Sequence, residues 1–176
     1  MSINIIWGDK MATDFAKTVA LARNGDTEAF ATLYSDVYKD LYHMALYNLK
    51  DANDAEDVVS ETVLDAFATI GNLRDENAFR SWITTILYAK IKRKLKEYAV
   101  CGIVFTYEVE HQQLNYDGID LKQELNRLLD DERLILSLSI IGGYTSKEIG
   151  KMLDMKPSTV RSKLLRTKMK LRERLS

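Results

Sequence analysis

Apolar residues recur every three or four positions along most of this chain, and that spacing leaves room for little besides helices. Phe30, Leu33, Val37, Leu41, Ala45 and Leu49 form one series after Asp26; at 100° per residue they share one side of a helix. Val59, Val63, Ala66, Phe67 and Ile70 form another. It opens on Asn53-Asp54-Ala55-Glu56, whose N-x-x-E spacing reads as a capping box, and Gly71 closes it. A shorter helix is expected over 14–24, stopping at Gly25, and a long one over 78–98. No stretch shows the two-residue alternation of a strand, and no internal repeat is visible. The expected fold class is all-α.

The periodicity fails from 99 to 119, where Cys101-Gly102 and Asn115-Tyr116-Asp117-Gly118 carry turn chemistry, and it resumes with Leu121, Leu125, Leu128 and Leu129. A gap of this length exceeds most connections inside one compact domain. Two small helical domains joined by a flexible linker are therefore expected: a tail and first helix over 1–25, one domain over 26–98, the linker over 99–119, and a second domain over 120–176.

Composition excludes several function classes. The single cysteine, Cys101, rules out an internal disulfide framework and a cysteine-built zinc site, and it reads most simply as a small buried residue. Two histidines, His43 and His111, are too scattered for a metal cluster or a nucleophile–histidine set. There is no phosphate-binding glycine loop, so neither a cofactor nor enzymatic activity is expected. The start, MSINIIWGDKMATDF, lacks a cationic segment followed by a long apolar run, and no segment reaches the length of a membrane span. A soluble cytoplasmic protein without direct membrane insertion is the expectation.

Net charge is −1, from 25 Lys+Arg against 26 Asp+Glu, but the charges are segregated. Asp51, Asp54, Glu56, Asp57, Glu61 and Asp65 form a block free of bases; Lys90, Lys92, Arg93, Lys94 and Lys96 form one free of acids. Such blocks suit a protein with several partners.

The most specific pattern lies near the C-terminus. Thr145-Ser146-Lys147-Glu148 is a capping box, Ile149, Met152 and Leu153 give the helix a buried side, and Asp154-Met155-Lys156 supplies a turn. Pro157 fits the first turn of the following helix. On that helix Val160, Leu164, Thr167 and Leu171 share an arc, opposite Thr159, Ser162, Lys163, Arg166 and Lys170. One apolar face and one face of hydroxyls and cations describe a helix-turn-helix whose second helix enters a major groove. Arginine reads guanine edges, Ser and Thr reach bases or phosphate, and lysines hold register.

The stretch LLDDERLILSLSIIGGYTSKEIGKMLDMKPSTVRSKLLRTKMKLRERL resembles region four of bacterial sigma-70-type factors, and DAEDVVSETVLDAFATIGNLRDENAFRSWITTIL resembles region two. Both fall in this order within 26–175 without further domains, as in the small extracytoplasmic-function (ECF) group. The resemblance implies a subunit that binds core RNA polymerase and directs initiation at promoters, reading a minus-35 and a minus-10 element and helping to open the duplex. It implies three partners: core polymerase through the beta-prime clamp and beta flap, promoter DNA, and an anti-sigma factor.

Site residues follow from the same motifs. Asp57, Ser60 and Glu61 match a D-A-E-D-x-x-Q-E pattern that docks on the clamp, with Ser60 in place of Gln. Asn72, Arg74, Asn77 and Arg80 fall where an unstacked minus-10 base is captured, and Lys90, Arg93, Lys94 and Lys96 would hold the strand backbone. Arg161, Ser162, Leu165 and Arg166 match the minus-35-reading neighbourhood, joined by Thr159 and Lys163. Thr85-Ile86-Leu87-Tyr88-Ala89 departs from the Arg-Ile-Ala-x-Asn sequence of many relatives. Phe79, Trp82, Ile83 and Ile86 read as core, while Leu87, Tyr88, Ile91 and Leu95 suggest a second buried face, covered by a linker, by an inhibitor or by core packing. The competing reading is a sigma-like helix-turn-helix regulator or adaptor that does not melt promoters.

Overall fold

The computed structural model describes the backbone of residues 4–102 and 124–175, with side chains from residue 14 onward. Among the described residues there are seven α-helices and no strand: α1 Asn4–Arg23, α2 Thr27–Leu49, α3 Ala52–Thr69, α4 Phe79–Cys101, α5 Asp130–Ile140, α6 Ser146–Leu153 and α7 Pro157–Leu175. Single 3-10 turns occupy Ile70–Asn72 and Glu76–Ala78 between α3 and α4. Most of the expected linker lies outside the described residues, including Glu108, Glu110, His111 and Asp117, as does Asp120 just after it.

Local chemistry sets the helix ends. The Asp26 carboxylate accepts from the backbone N–H groups of Glu28 and Ala29, each at 3.0 Å, and starts α2. α2 ends on Lys50 in the left-handed region at φ 62°. There its ammonium donates to the Asn126 carbonyl at 3.1 Å. Two boundaries differ from the sequence expectation. α1 reaches back to Asn4, because nothing before Asp14 breaks a helix: there is no proline, and one glycine costs only about 1 kcal/mol. α3 is capped by Asp51, whose carboxylate accepts from Asp54 N–H at 2.8 Å, rather than by Asn53. Both side chains are competent caps, and the αL residue Lys50 aims the chain so that Asp51 takes the position.

α2 is the central element, packed against α1, α3, α4 and α5. Its fully buried residues Leu33, Leu41, Met44, Ala45 and Leu49 meet Val59 and Ala66 from α3 and Phe79, Ile83 and Leu87 from α4. α5 packs on α7 and α6, burying Leu134, Ile135, Leu138, Ile149 and Val160. Burial of each such side chain stabilises by about 1.5–3 kcal/mol.

The two helical modules share one continuous core, because α5 docks on α2 and α6 packs against α4. The seam is polar at its centre. Tyr88, 1% exposed, hydrogen-bonds the Ser137 hydroxyl. Asn48 donates to the same hydroxyl at 3.0 Å and to Met44 O at 2.7 Å. Thr84 and Tyr144 pair at 2.9 Å. Burial pushes the Tyr88 phenol well above its ordinary range, so it stays a neutral hydrogen-bonding group. The second apolar stripe of α4 is thus covered: Leu87, Tyr88 and Ile91 are buried, so the second buried face expected of this helix is filled by core packing within the chain. Cys101 is also corrected. It is exposed at the end of α4, beside exposed Ala99 and Val100, where the helix has run past the core.

Candidate nucleic-acid interface

The helix-turn-helix is built by close backbone contacts. Thr145 and Glu148 form the capping box: the Thr145 N–H and hydroxyl donate to the Glu148 carboxylate at 2.8 and 2.7 Å, and the Glu148 N–H donates back at 3.4 Å. The Thr145 hydroxyl, then its N–H, hold the Glu148 carboxyl below its ordinary pKa. α6 ends at Asp154 in the left-handed region, and Met155 N–H donates to Gly150 O at 2.8 Å. That turn requires glycine, since a Cβ at position 150 would sit 2.6 Å from the Met155 carbonyl oxygen. Pro157 then begins α7.

α7 buries Val160 and Thr167 against α5 and α6. Arg161, Ser162, Leu165 and Arg166 are exposed, as are Thr159, Lys168 and Met169. Leu165 is 62% exposed, a large apolar side chain between two arginines with nothing of this chain over it. The Ser162 hydroxyl donates to Ser158 O at 3.0 Å, and the side chain stays exposed. Ion pairs sit on the flank. Lys163 meets Asp131 at 3.0 Å, Lys170 meets Glu132, and Arg174 meets Glu124 at 3.0 Å. Arg161 and Arg166 have no ion-pair partner among the described residues. The centre of α7 therefore offers two guanidinium groups, two hydroxyls and an apolar contact, and Lys163 belongs partly to the packing.

α4 is arranged differently. The Arg93 guanidinium donates to Glu61 at 2.6 Å; Lys90 lies 3.4 Å from Glu61 and 2.6 Å from Asp65; Lys94 lies 2.8 Å from Asp54. Three cations expected on DNA are held by acids of α3, and the Lys90 side chain is only 11% exposed. The Arg93 hydrogen bond keeps the Glu61 carboxyl below its usual range, against a smaller opposing effect of burial. Burial raises the Asp54 carboxyl, but hydrogen bonds from Lys94 and Tyr98 outweigh it and the net shift is downward. The acidic and basic blocks read as surfaces for separate partners thus neutralise each other in part, through Asp54, Glu61 and Asp65.

What α4 leaves uncovered is a stripe of Thr85, Ala89, Lys92 and Lys96. Sequence reading passed over Lys92, although the wheel held the signal: Lys90 and Lys94 fall beside the Phe79–Ile83 arc, Lys92 and Lys96 opposite it. Upstream, Asn72 and Arg74 are exposed. Asn77 is turned onto the Asp75 carboxylate by its N–H at 3.0 Å and its amide at 3.2 Å. Arg80 lies 4.0 Å from Asp40 and 5.0 Å above the Phe15 ring. Trp82 is half-buried against Phe79. On α3, Asp57 and Ser60 are exposed, four and one residues ahead of the engaged Glu61. Among the described residues no cluster of His, Cys, Asp and Glu has metal-site geometry, and no helix is long and apolar enough to cross a membrane.

Two family models match the chain, "Sigma-70 region 2" over residues 33–99 and "Sigma-70, region 4" over 119–171. Among curated proteins it is 25% identical to the ECF RNA polymerase sigma factor SigW of Bacillus subtilis, over 90% of this chain and 95% of that one. It is 26% identical to SigX of the same organism, over 82% and 85%. Solved structures share the fold, and two of them illustrate it. CnrH in complex with the cytosolic domain of CnrY aligns with a TM-score of 0.69 at 20% identity, over 92% of this chain and 96% of that one. The sigma factor RpoE of Bartonella quintana, in complex with the anti-sigma factor NepR, aligns at 0.68 and 24%, over 85% and 98%.

Proposed function

The chain belongs to the sigma-70 family, in its ECF group, and from that premise we propose how its parts divide the work of promoter-specific initiation. The family binds core RNA polymerase and directs it to promoters, and the chemistry of phosphodiester formation is the polymerase's own. The module over 26–98 docks on the beta-prime clamp through Asp57, Ser60 and Glu61, and engages the minus-10 element through Asn72, Arg74, Asn77 and Arg80. Lys92 and Lys96 track phosphates of the opened strand, as exposed cations do. The module over 120–176 reads the minus-35 element with Thr159, Arg161, Ser162, Leu165 and Arg166, beside the beta flap, while the segment over 99–119 spans the two.

The observation that carries this reading is the open centre of α7 behind a capped α6 and a glycine-dependent turn. Run-off transcription with core polymerase on a cognate promoter tests it. Ser162→Ala with Arg166→Ala should abolish promoter-dependent initiation, and unchanged transcripts would place upstream reading elsewhere. Permanganate footprinting of unpaired thymines tests opening; a duplex left closed would favour the adaptor reading.

The docked modules hold a further implication. Elements named for positions about 25 base pairs apart lie roughly 85 Å apart at 3.4 Å per step, whereas a compact chain of this length is about 40 Å across. Both elements are bound together only after the Tyr88–Ser137 seam has parted. The compact form suits storage in the cytoplasm with an anti-sigma factor, the kind of partner seen with the Bartonella protein.

A further inference from the structure

Two roles given to different partners meet in one ion pair. Glu61, on the surface assigned to polymerase, is the carboxylate that holds Arg93, on the helix assigned to the promoter strand. The two side chains are about half exposed, Arg93 at 58% and Glu61 at 46%, so a competitor reaches either one from solvent. Arg93 has a second, looser contact 3.7 Å from the exposed Glu97, one turn on along the same helix, which moves with α4 and does not tie Arg93 to α3, whereas its neighbours are held more firmly to α3. Lys90 has a second carboxylate, Asp65, at 2.6 Å and is nearly covered. Lys94 shares Asp54 with the Tyr98 hydroxyl and lies 5.8 Å above the Tyr98 ring.

We propose that Glu61 is a shared counter-ion that couples polymerase docking to strand binding. In the free protein it holds Arg93 along α3. The cationic surface that docks on Asp57 and Ser60 takes over the Glu61 carboxylate, and Arg93 swings to the phosphates tracked by Lys92 and Lys96. Lys90 and Lys94 stay on α3, because Asp65 and the Asp54–Tyr98 pair retain them. Glu61 and Arg93 each give up one counter-charge and gain another, which makes it a low-cost switch; an exposed pair of this kind is worth little in water. The coupling is correspondingly modest, about two- to fivefold in strand affinity, with one added phosphate contact. This inference rests on the assignment of the α3 surface to polymerase.

The test is a double-mutant cycle on the full chain, with a labelled oligothymidylate as the single-strand probe at several salt concentrations. Glu61→Gln should tighten binding about two- to fivefold and steepen the salt dependence by about 0.7 in log–log slope. The same change in an Arg93→Gln background should produce no gain, and Asp57→Asn should give less than Glu61→Gln. In the complex with core polymerase, Arg93→Gln should weaken strand binding while Lys90→Gln leaves it unchanged. A Glu61→Gln gain that survives in the Arg93→Gln background reports only the lost negative charge and overturns the exchange. Core affinity, measured in parallel for Asp57→Asn and Glu61→Gln, separates the premise. If core affinity falls in both variants while the gain ignores Arg93, the exchange alone is wrong; if neither variant changes it, the docking assignment falls and takes the exchange with it.

Discussion

α4 and α7 are written in much the same way, with cations interleaved among apolar residues at helical spacing, yet they present opposite electrostatic faces. On α7 the ion pairs lie along the flank, at Lys163, Lys170 and Arg174, and pin the helix to α5 and the turn before it. Its centre stays open. On α4 the pairs take Lys90, Arg93 and Lys94 and leave Lys92 and Lys96 outward. The same composition thus makes a reading surface in one case and a helix–helix clasp with a narrow cationic stripe in the other. A block of charge states how many counter-ions are needed and nothing about who supplies them.

The contrast breaks most forcefully at the turn that presents α7. Gly150→Ala pushes a Cβ against the Met155 carbonyl, a backbone atom that has no rotamer to yield. It should cost about 3 kcal/mol, the upper end for overpacking, read as a lower urea midpoint with loss of upstream-element binding. An unchanged midpoint would mean the turn relaxes freely. Next comes the open face itself. Arg166→Ala should weaken binding to the cognate upstream duplex by about 2 kcal/mol, roughly thirtyfold. Lys163→Ala should lose much less in the same gel-shift titration, and equal losses would erase the distinction between centre and flank.

The hidden face of α4 gives a smaller effect. Tyr88→Phe removes the hydroxyl that meets Ser137 at the seam and should cost about 1 kcal/mol. It should also enlarge the chain in small-angle scattering as the modules part more often, and an unaltered radius would place their docking elsewhere. The smallest effect lies in the clasp. The Asp54 carboxyl is lowered in the folded protein, so its contribution is full above the unfolded carboxylate range, near pH 4, and fades as pH falls through the folded value. Thermal melts from about pH 7 to about pH 3 should show a shallower acid-side loss for Asp54→Asn than for the parent chain. Identical slopes would show that the Lys94 and Tyr98 contacts contribute nothing.

How far each feature was legible follows from how far apart its partners lie in the chain. The capping box at Thr145–Glu148, Pro157 at the start of α7 and the apolar series of α2 were readable directly. Each depends on residues within one or two turns, where covalent geometry fixes who meets whom. The cap at Asp51 was missed by two residues, because two competent side chains stood close together and the preceding αL residue chose between them. The pairing of Glu61 with Arg93, the covering of Tyr88 by α5 and the exposure of Cys101 were out of reach. Glu61 and Arg93 are brought together only by the packing of α3 on α4, and Tyr88 and Ser137 only by the docking of two modules across the 103–123 connection. Periodicity says that a face will be buried or a charge answered. Which element does so is decided by the packing of whole helices, a property of all their faces at once.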